Sequence, residues 1–272
     1  MQLQRGQVQI PAVPGVVTEL RELVSKGGTK VEAVVALVER DPALVARVLQ
    51  LGRSAAFGRA GQSADLPQVI NRVGFRQLSN MIEVVWAHDC FKIADKRYEP
   101  YVARLTRQAV ARAAAVRALA EQQRLEVFPA YLAGLFADVG ASFLLWAIVD
   151  KARGHVPAPE NALEFVRQHH ETMSGAVLKR WGHSDLIIGL ARRHHSAEPL
   201  AENAGSYPAV LVMASQMAVE LTGEEDVTAR GAWPDAAALE RSQTQIPLGE
   251  DVRRRISSRA HDEYHAALEA FF

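Results

Sequence analysis

The segment Leu132–Gly140 reads LAGLFADVG and places one carboxylate, Asp138, inside an otherwise apolar run. A buried carboxylate is costly unless another group pairs with it or donates hydrogen bonds to it. Candidate partners come later in the chain, in the pairs His169-His170 and His194-His195. An aspartate with several histidines is a set of side chains typical of a metal site. The segment therefore predicts a buried carboxylate that is paired with histidine, with a metal, or with both.

The residues alone leave the role of this carboxylate open. Asp138 borders the apolar stripe of its predicted helix, which favours a structural carboxylate bonded to a histidine or a backbone amide, with a metal ligand as the alternative. His194 falls on the apolar face of its helix, so we expect it in the core, as a packed histidine or as a ligand. His195 is predicted to point about a quarter turn away. His170 precedes the helix end at Trp181, where capping a helix competes with binding a metal.

The composition is typical of a folded protein, and the net charge creates no strong electrostatic field. Of its 272 residues 49% are hydrophobic and 23% charged, and 31 Lys and Arg balance 31 Asp and Glu. A zero net charge argues against a nucleic-acid partner. The single cysteine, Cys90, excludes an intrachain disulfide and suits a reducing compartment. The N-terminus lacks a signal-peptide pattern and the apolar window Val139–Val149 is too short to span a bilayer, so we expect a cytoplasmic protein without a membrane partner.

Helical periodicity runs through almost the whole chain, which predicts an all-α fold built as a two-lobed helical bundle. Asp41 before Pro42 predicts an N-cap, and Thr29 with Glu32 predicts a capping box. No stretch alternates with period two for long enough to indicate a strand. We divide the chain into an N-terminal helical lobe at 1–95, a second helical lobe at 96–206 and a C-terminal helical extension at 207–272 that packs on the second lobe.

Four fragments together resemble the HD-related output domain, or HDOD, a divergent branch of the metal-dependent HD phosphohydrolase superfamily. Residues 10–14, IPAVP, resemble the family's Leu-Pro-x-Leu-Pro opening, and residues 39–58, ERDPALVARVLQLGRSAAFG, resemble its Asp-Pro-Ala-Leu run. Residues 69–81, VINRVGFRQLSNM, resemble its Ala-Ile-x-x-Leu-Gly segment. LAGLFADVG resembles Ala-Gly-Leu-Leu-His-Asp-Ile-Gly, with Ala137 where the superfamily keeps a metal-ligating histidine. The resemblance spans about residues 10–206 and implies that the second lobe has an HD-phosphohydrolase-like fold.

The resemblance also implies a reduced ligand set. Counted from Trp181, the histidines at 170, 194 and 195 fall on histidines of the family, whereas Ala137 and the region near Gln108 lack one. Hydrolysis in the superfamily needs a metal with an open position that lowers the pKa of bound water. We therefore expect no catalytic residue, cofactor or bound metal, with Asp138, His170, His194 and His195 as a remnant cluster.

The function that the resemblance implies is a non-catalytic signal-transduction module, which acts through ligand sensing and protein–protein contacts. Its expected partners are signalling proteins and a small-molecule or nucleotide ligand. The alternative is a metal-dependent phosphohydrolase or phosphodiesterase with an incomplete HD ligand set. The glycine-rich loop from Arg53 to Asp65 is the expected partner surface, with Arg53 and Phe57 as its contact residues, unless it only connects two helices.

Overall fold

The computed structural model describes residues 9–53, 65–152, 155–196, 205–231, 234 and 236–271, and over this part of the chain all regular structure is α-helical. The all-α prediction is confirmed. The helices are α1 (Gly15–Ser25), α2 (Val31–Val38), α3 (Pro42–Arg53), α4 (Leu66–Val73), α5 (Phe75–Cys90), α6 (Glu99–Gln122), α7 (Val127–Phe136), α8 (Val139–Asp150), α9 (Pro159–Arg180), α10 (Asp185–Ala191), α11 (Tyr207–Thr222), α12 (Ala236–Gln245) and α13 (Glu250–Phe271).

Contacts divide the helices into two compact units. The first unit contains Pro11–Lys92, with the residues from His265 onward, and the second contains Ile93–Tyr264. Helices α11 and α12, and α13 as far as Tyr264, thus belong to the same unit as α6–α10. The finer division at residues 95 and 206 stays a prediction.

Helix α3 begins as the sequence predicts, but α2 does not. Asp41 Oδ1 accepts hydrogen bonds from the backbone N–H groups of Ala43 at 2.9 Å and Leu44 at 3.2 Å, which confirms the N-cap. The capping box is wrong: the residue at the N-cap of α2 is Lys30, without a capping side chain. The Thr29 hydroxyl donates instead to the carbonyl of Leu23, because that last-turn carbonyl of α1 is within its reach.

The second unit is built around α6, which packs on α7 and α11 through an alanine-rich face. At the contact with α7, a Cβ atom on Gly134 would lie 2.9 Å from Val116 Cγ2 and 3.3 Å from Ala113 Cα. These small residues let the two backbones approach closely. The long side chain of Arg112, on the same stretch of α6, thereby reaches the end of α7.

Helix α8 packs against α9 at Gly140 more closely than any side chain allows. A Cβ atom there would lie 2.3 Å from both His170 O and Ser174 N. The Ser174 hydroxyl accepts a hydrogen bond from Gly140 N at 2.9 Å and donates one to Ala137 O at 2.7 Å. Ser174 thus joins the turn between α7 and α8 to α9, and this turn holds Asp138.

The apolar stretch is longer than the sequence indicated. Val127–Asp150 is long and apolar enough to span a membrane by length and composition, with a mean hydropathy of 1.9 in its most apolar window, whereas the apolar window of the sequence, Val139–Val149, is shorter. Asp138 falls between α7 and α8, which together form the stretch. Of that window, 78% is buried inside the protein, as is typical of core helices.

Candidate functional site

The carboxylate of Asp138 lies at the centre of a buried polar cluster, and its predicted burial is confirmed, since its side chain is only 3% exposed. Its Oδ1 accepts hydrogen bonds from His194 Nε2 at 3.1 Å and from the Thr228 hydroxyl at 2.9 Å. Its Oδ2 accepts one from Arg112 Nη1 at 2.8 Å. His170 Nε2 lies 3.7 Å from Oδ1. Both oxygens of this carboxylate are therefore engaged by side chains from three other segments.

Arg112 joins this carboxylate to a second one. Its side chain is 1% exposed, and its Nη2 lies 3.3 Å from Oδ2 of Asp226. Asp226 also pairs with His195, whose Nε2 is 3.3 Å from the same oxygen. Because a buried guanidinium needs compensating anions, the two aspartates and Arg112 depend on one another. One side chain of α6 thus bridges the α7–α8 turn and the loop after α11.

The segment Glu224–Arg230, here called the 224–230 loop, carries Asp226 into the cluster. It follows α11, whose C-cap is Gly223 with a positive φ of 66°. Gln108 holds this loop to α6, because its Oε1 accepts from Val227 N at 3.3 Å and its Nε2 donates to Glu225 O. Gln108, which stands near the expected first ligand position, is therefore a residue that anchors the loop.

Thr228 comes from the same loop and stands between the two carboxylates. Its hydroxyl oxygen lies 2.9 Å from Asp138 Oδ1 and 2.7 Å from Asp226 Oδ1. A single hydroxyl proton can serve only one of these acceptors at a time. Thr228 therefore links the carboxylates without supplying charge.

His170 lies inside α9, eleven residues after its start at Pro159, so the capping role predicted for it is wrong. The prediction failed because α9 is a single long helix that begins well before the histidine. His170 Nδ1 lies 3.0 Å from Val166 O, which makes Nδ1 the donor and leaves Nε2 without a proton in the neutral ring. That Nε2 atom is buried and has no hydrogen-bond partner among the described residues.

His194 and His195 both belong to the cluster. His194 lies with Nδ1 2.9 Å from Ala191 O and Nε2 3.1 Å from Asp138 Oδ1, so both ring nitrogens face acceptors. The His195 ring centroid is 4.1 Å from that of His194 and 5.0 Å from that of His170. Both histidines follow the last residue of α10, and the quarter turn predicted between them stays a prediction.

Burial and charge shift the pKa values of the cluster in opposite directions. Burial would raise the pKa of Asp138, but the charges of Arg112 and His194 hold it well below its ordinary value. The pKa of Asp226 is also lowered, because the hydrogen bond from His195 and the charge of Arg112 outweigh burial and the repulsion from Asp138. The pKa of His170 is lowered by burial and by the charge of His194. These shifts keep both aspartates ionised and His170 neutral at neutral pH, beside the guanidinium of Arg112.

These shifts predict a loss of stability in acid. Asp138 and Asp226 have folded-state pKa values below their unfolded-state pKa values. Their contribution to the free energy of unfolding is therefore present above about pH 4 and is lost as the pH falls through the folded-state values. We expect the urea midpoint to fall between pH 5 and pH 3. The fall should be smaller in Asp226→Asn, which removes one of these titrations. Equal pH dependence in both proteins would contradict the assigned shifts.

The family follows from a comparison with known domains. A family model described as the HDOD domain matches residues 10–197, which is more than half of the chain. The chain belongs to the HDOD family. In the HDOD chain described here, the cluster of Asp138, Arg112, Asp226 and the three histidines lies in the second unit.

Solved structures of similar fold support the HD-like architecture of this HDOD protein. A candidate metal-dependent phosphohydrolase from Shewanella amazonensis SB2B is 18% identical, with a TM-score of 0.77 over 100% of this chain and 95% of that one. An HDOD domain protein of unknown function from Geobacter sulfurreducens is 17% identical, with a TM-score of 0.60 over 95% of each chain. At these identities the likeness concerns the fold, and the prediction of an HD-phosphohydrolase-like fold is confirmed.

A curated relative is longer than this HDOD chain. An uncharacterized protein from Treponema pallidum (strain Nichols) is 23% identical over 195 residues, which are 69% of this chain and 38% of that protein. The chain thus spans less than half the length of the curated relative it matches.

Because a structural neighbour of this fold is a candidate metal-dependent phosphohydrolase, the cluster is a candidate metal site. The ligand atoms of His170, His194 and His195 lie within 4.8 Å of one another, which is close enough by distance for a shared ion. Their orientation does not fit, because His194 Nε2 is turned to Asp138 and only His170 Nε2 is without a partner among the described residues. As they stand, these residues do not fit a metal ion.

Sequence reasoning found Asp138 and the three histidines but missed three residues of the cluster: Arg112, Asp226 and Thr228. Arg112 carries a usable signal, since it is a lone charge in the apolar run from Ala109 to Val116. Asp226 follows two glutamates and reads as part of an exposed acidic loop. Of the two expected partner contacts, Arg53 is the last residue of α3 and Phe57 lies outside the described residues.

Proposed function

We propose that this HDOD chain is a non-catalytic signal-transduction module that acts through ligand sensing and protein–protein contacts. The observation that carries the proposal is the position of Arg112, whose guanidinium lies 2.8 Å from Asp138 and 3.3 Å from Asp226. A cationic side chain between the carboxylates, together with Ala137 in the place of a ligating histidine, leaves no open metal position for activating water.

A structural neighbour from Marinobacter aquaeolei VT8, a candidate signal transduction protein, is consistent with a regulatory role. It is 21% identical with a TM-score of 0.67 over 96% of this chain and 60% of that one.

An assay for phosphoester turnover tests the non-catalytic part. We expect hydrolysis of bis(p-nitrophenyl) phosphate and p-nitrophenyl phosphate at the background rate, with Mn²⁺, Mg²⁺, Co²⁺ or Zn²⁺ added. The matched control is Asp138→Asn, since any true activity of an HD site would disappear in that variant. Turnover in the wild-type protein that is lost in Asp138→Asn would overturn the proposal.

The ligand part of the proposal rests on a cavity of about 800 Å³ beside the cluster, a volume suited to a small molecule. One wall of the cavity is α9 and the other is the 224–230 loop with Gly231. The residues that line the cavity are Glu164, Arg167, Gln168, His169, Glu225, Asp226, Ala229, Arg230 and Gly231. Arginines suit a phosphate, and carboxylates suit hydroxyl or amino groups, so the lining matches a nucleotide. Because Asp226 belongs to both the cavity and the cluster, a ligand there would act on the ionic network directly.

Arg167 is the residue with which to test the cavity. Its Nε donates to Val227 O at 3.3 Å, and its Nη groups make no hydrogen bond among the described residues. With AMP as the probe in titration calorimetry, we expect saturable binding that weakens at least tenfold in Arg167→Gln. The control Arg193→Gln makes the same charge change at an exposed site outside the cavity and should bind as the wild type does. Equal binding by both variants, or no saturable binding of AMP, would remove the nucleotide from the proposal.

Signalling proteins remain the proposed macromolecular partners, with Arg53 and Phe57 as contact residues. We expect Arg53→Ala and Phe57→Ala to stay folded and to capture fewer proteins from a lysate of the native host than the wild type does. Folded variants that keep every captured protein would remove this segment from the proposal. A cytoplasmic location belongs to the same proposal and is tested by fractionating the native host.

The second candidate function is a metal-dependent phosphohydrolase with an incomplete ligand set. It is favoured by the spacing of the three histidines, whose ligand atoms lie within 4.8 Å of one another, and by His170 Nε2, which has no hydrogen-bond partner among the described residues. This candidate requires the ring of His194 to leave Asp138. It predicts stoichiometric metal in the purified protein and turnover in the assay above, so the two functions give opposite results.

A further inference from the structure

We propose that Arg112 is a built-in cation that takes the charge position of a metal ion in this HDOD chain and that its presence keeps the cluster free of metal. The proposal rests on the proposed non-catalytic function and adds a residue-level cause to it. Without the charge of Arg112, the same cluster becomes a site for a divalent transition metal.

The first support is the geometry of the guanidinium. Nη1 of Arg112 donates to Asp138 Oδ2 at 2.8 Å, and Nη2 donates to Asp226 Oδ2 at 3.3 Å. The side chain contacts two carboxylates that come from different segments, as a metal ion shared by two aspartates would. Its forked donors contact both carboxylates through hydrogen bonds and supply a single positive charge.

The second support is burial. The side chains of Arg112, Asp138 and Asp226 are 1%, 3% and 5% exposed, so the charges are compensated inside the protein and not by solvent. An arginine side chain stays protonated at every pH at which the protein folds. Unlike a metal ion, this cation can be neither washed out nor taken by a chelator.

The third support is that the lone pairs that a metal would need are already in use. Asp138 Oδ1 accepts from His194, Asp226 Oδ1 accepts from the backbone N–H of Thr228, and the Thr228 hydroxyl donates to one of these two oxygens. An added dication would therefore have to displace donors, and it would also stand beside the positive charge of Arg112. Like charges at such distances repel strongly in a water-poor interior.

A neutral side chain at position 112 would reverse this situation. Two carboxylates would remain without their shared counter-ion, next to the unpartnered His170 Nε2 and the ring of His195. Carboxylate oxygen with imidazole nitrogen is a donor set for Co²⁺ and Zn²⁺. The binding of a dication would then replace the charge that was removed.

The experiment measures Co²⁺ binding by equilibrium dialysis and visible absorption, using the full untagged chain at pH 7.5. The wild type is compared with Arg112→Gln and Arg112→Met, which remove the charge. The matched control is Arg112→Lys, which keeps the charge but not the forked donors. We expect the neutral variants to bind Co²⁺ at least tenfold more tightly than the wild type and Arg112→Lys, and to lose this gain when Asp138→Asn is added.

Stability gives a second readout, because a ligand that binds only the folded state raises its melting temperature. Co²⁺ should raise the melting temperature of the neutral variants and leave that of the wild type unchanged. If these variants do not fold alone, refolding in 1 mM Co²⁺ should recover their helical circular dichroism, and failure to refold with the metal would overturn the proposal.

Two outcomes separate this proposal from the proposed function. Folded neutral variants that bind Co²⁺ no more tightly than the wild type would overturn the role of Arg112 and leave the non-catalytic function standing. Tight Co²⁺ binding by the wild type would also overturn the role of Arg112. Only phosphoester turnover by that Co²⁺-loaded wild type would overturn the proposed function as well.

Discussion

Replacing Arg112 by methionine is expected to lower the free energy of unfolding by about 3–5 kcal/mol, the range observed when one partner of a buried ion pair is removed. The loss arises because Asp138 and Asp226 are left buried together without their shared counter-ion. Methionine has a similar length and fills most of the volume, so the cavity contribution stays small. The measurement is urea unfolding followed by circular dichroism at pH 7.5 in the presence of EDTA.

A surface arginine provides the control for this variant. Arg254 pairs with Asp251, and both side chains are largely exposed, at 75% and 84%. Arg254→Met should therefore change stability by less than about 1 kcal/mol. A double-mutant cycle of Arg112→Met with Asp226→Asn should be non-additive, because removing one charge relieves the cost of removing the other. Equal effects of the Arg112 and Arg254 variants would show that the guanidinium is not the counter-ion of the cluster.

Gly140→Ala is expected to destabilise the protein despite the higher helix propensity of alanine. The new Cβ atom would lie 2.3 Å from His170 O and Ser174 N, so α8 and α9 must separate. The neighbouring atoms belong to a helix backbone, which cannot rotate away as a side chain can. Overpacking costs about 1–3 kcal/mol and occasionally more, and we expect the upper end of that range at this position. The measurement is again the urea midpoint, together with amide exchange of α9.

The matched control is Gly15→Ala at the start of α1, where an added Cβ atom meets nothing within 4 Å. We expect this variant to be neutral or slightly stabilised, because alanine favours the helix by up to about 1 kcal/mol. A Gly140→Ala variant that is as stable as Gly15→Ala would contradict the close packing of α8 on α9.

The fold was largely predictable because almost every segment keeps the helical period, and the N-cap at Asp41 formed as expected. The wrong predictions concern side chains that could cap a helix or bond to another neighbour. Thr29 donates to a carbonyl of the preceding helix instead of capping its own helix, and His170 lies inside α9 instead of capping a helix. Such outcomes depend on which neighbour comes within reach, and that depends on tertiary packing.

Only part of the candidate site could be predicted from the sequence. Asp138 could be found because it is a charge in an apolar run, and the same reasoning applied to α6 would have found Arg112. Asp226 could not be found, because it follows Glu224 and Glu225 in a loop that reads as solvated. Its burial arises from Gln108 and Arg107, which fasten that loop to α6, and such contacts over more than a hundred residues leave no local pattern.

The most direct test of the central claim, that an arginine takes the charge position of a metal here, is the metal content of the wild-type protein. The untagged chain is purified without chelator and analysed by inductively coupled plasma mass spectrometry for Mn, Fe, Co, Ni, Cu and Zn. We predict well under one equivalent of any of these metals per chain. One equivalent of a transition metal that persists through dialysis and is absent from Asp138→Asn would contradict the claim.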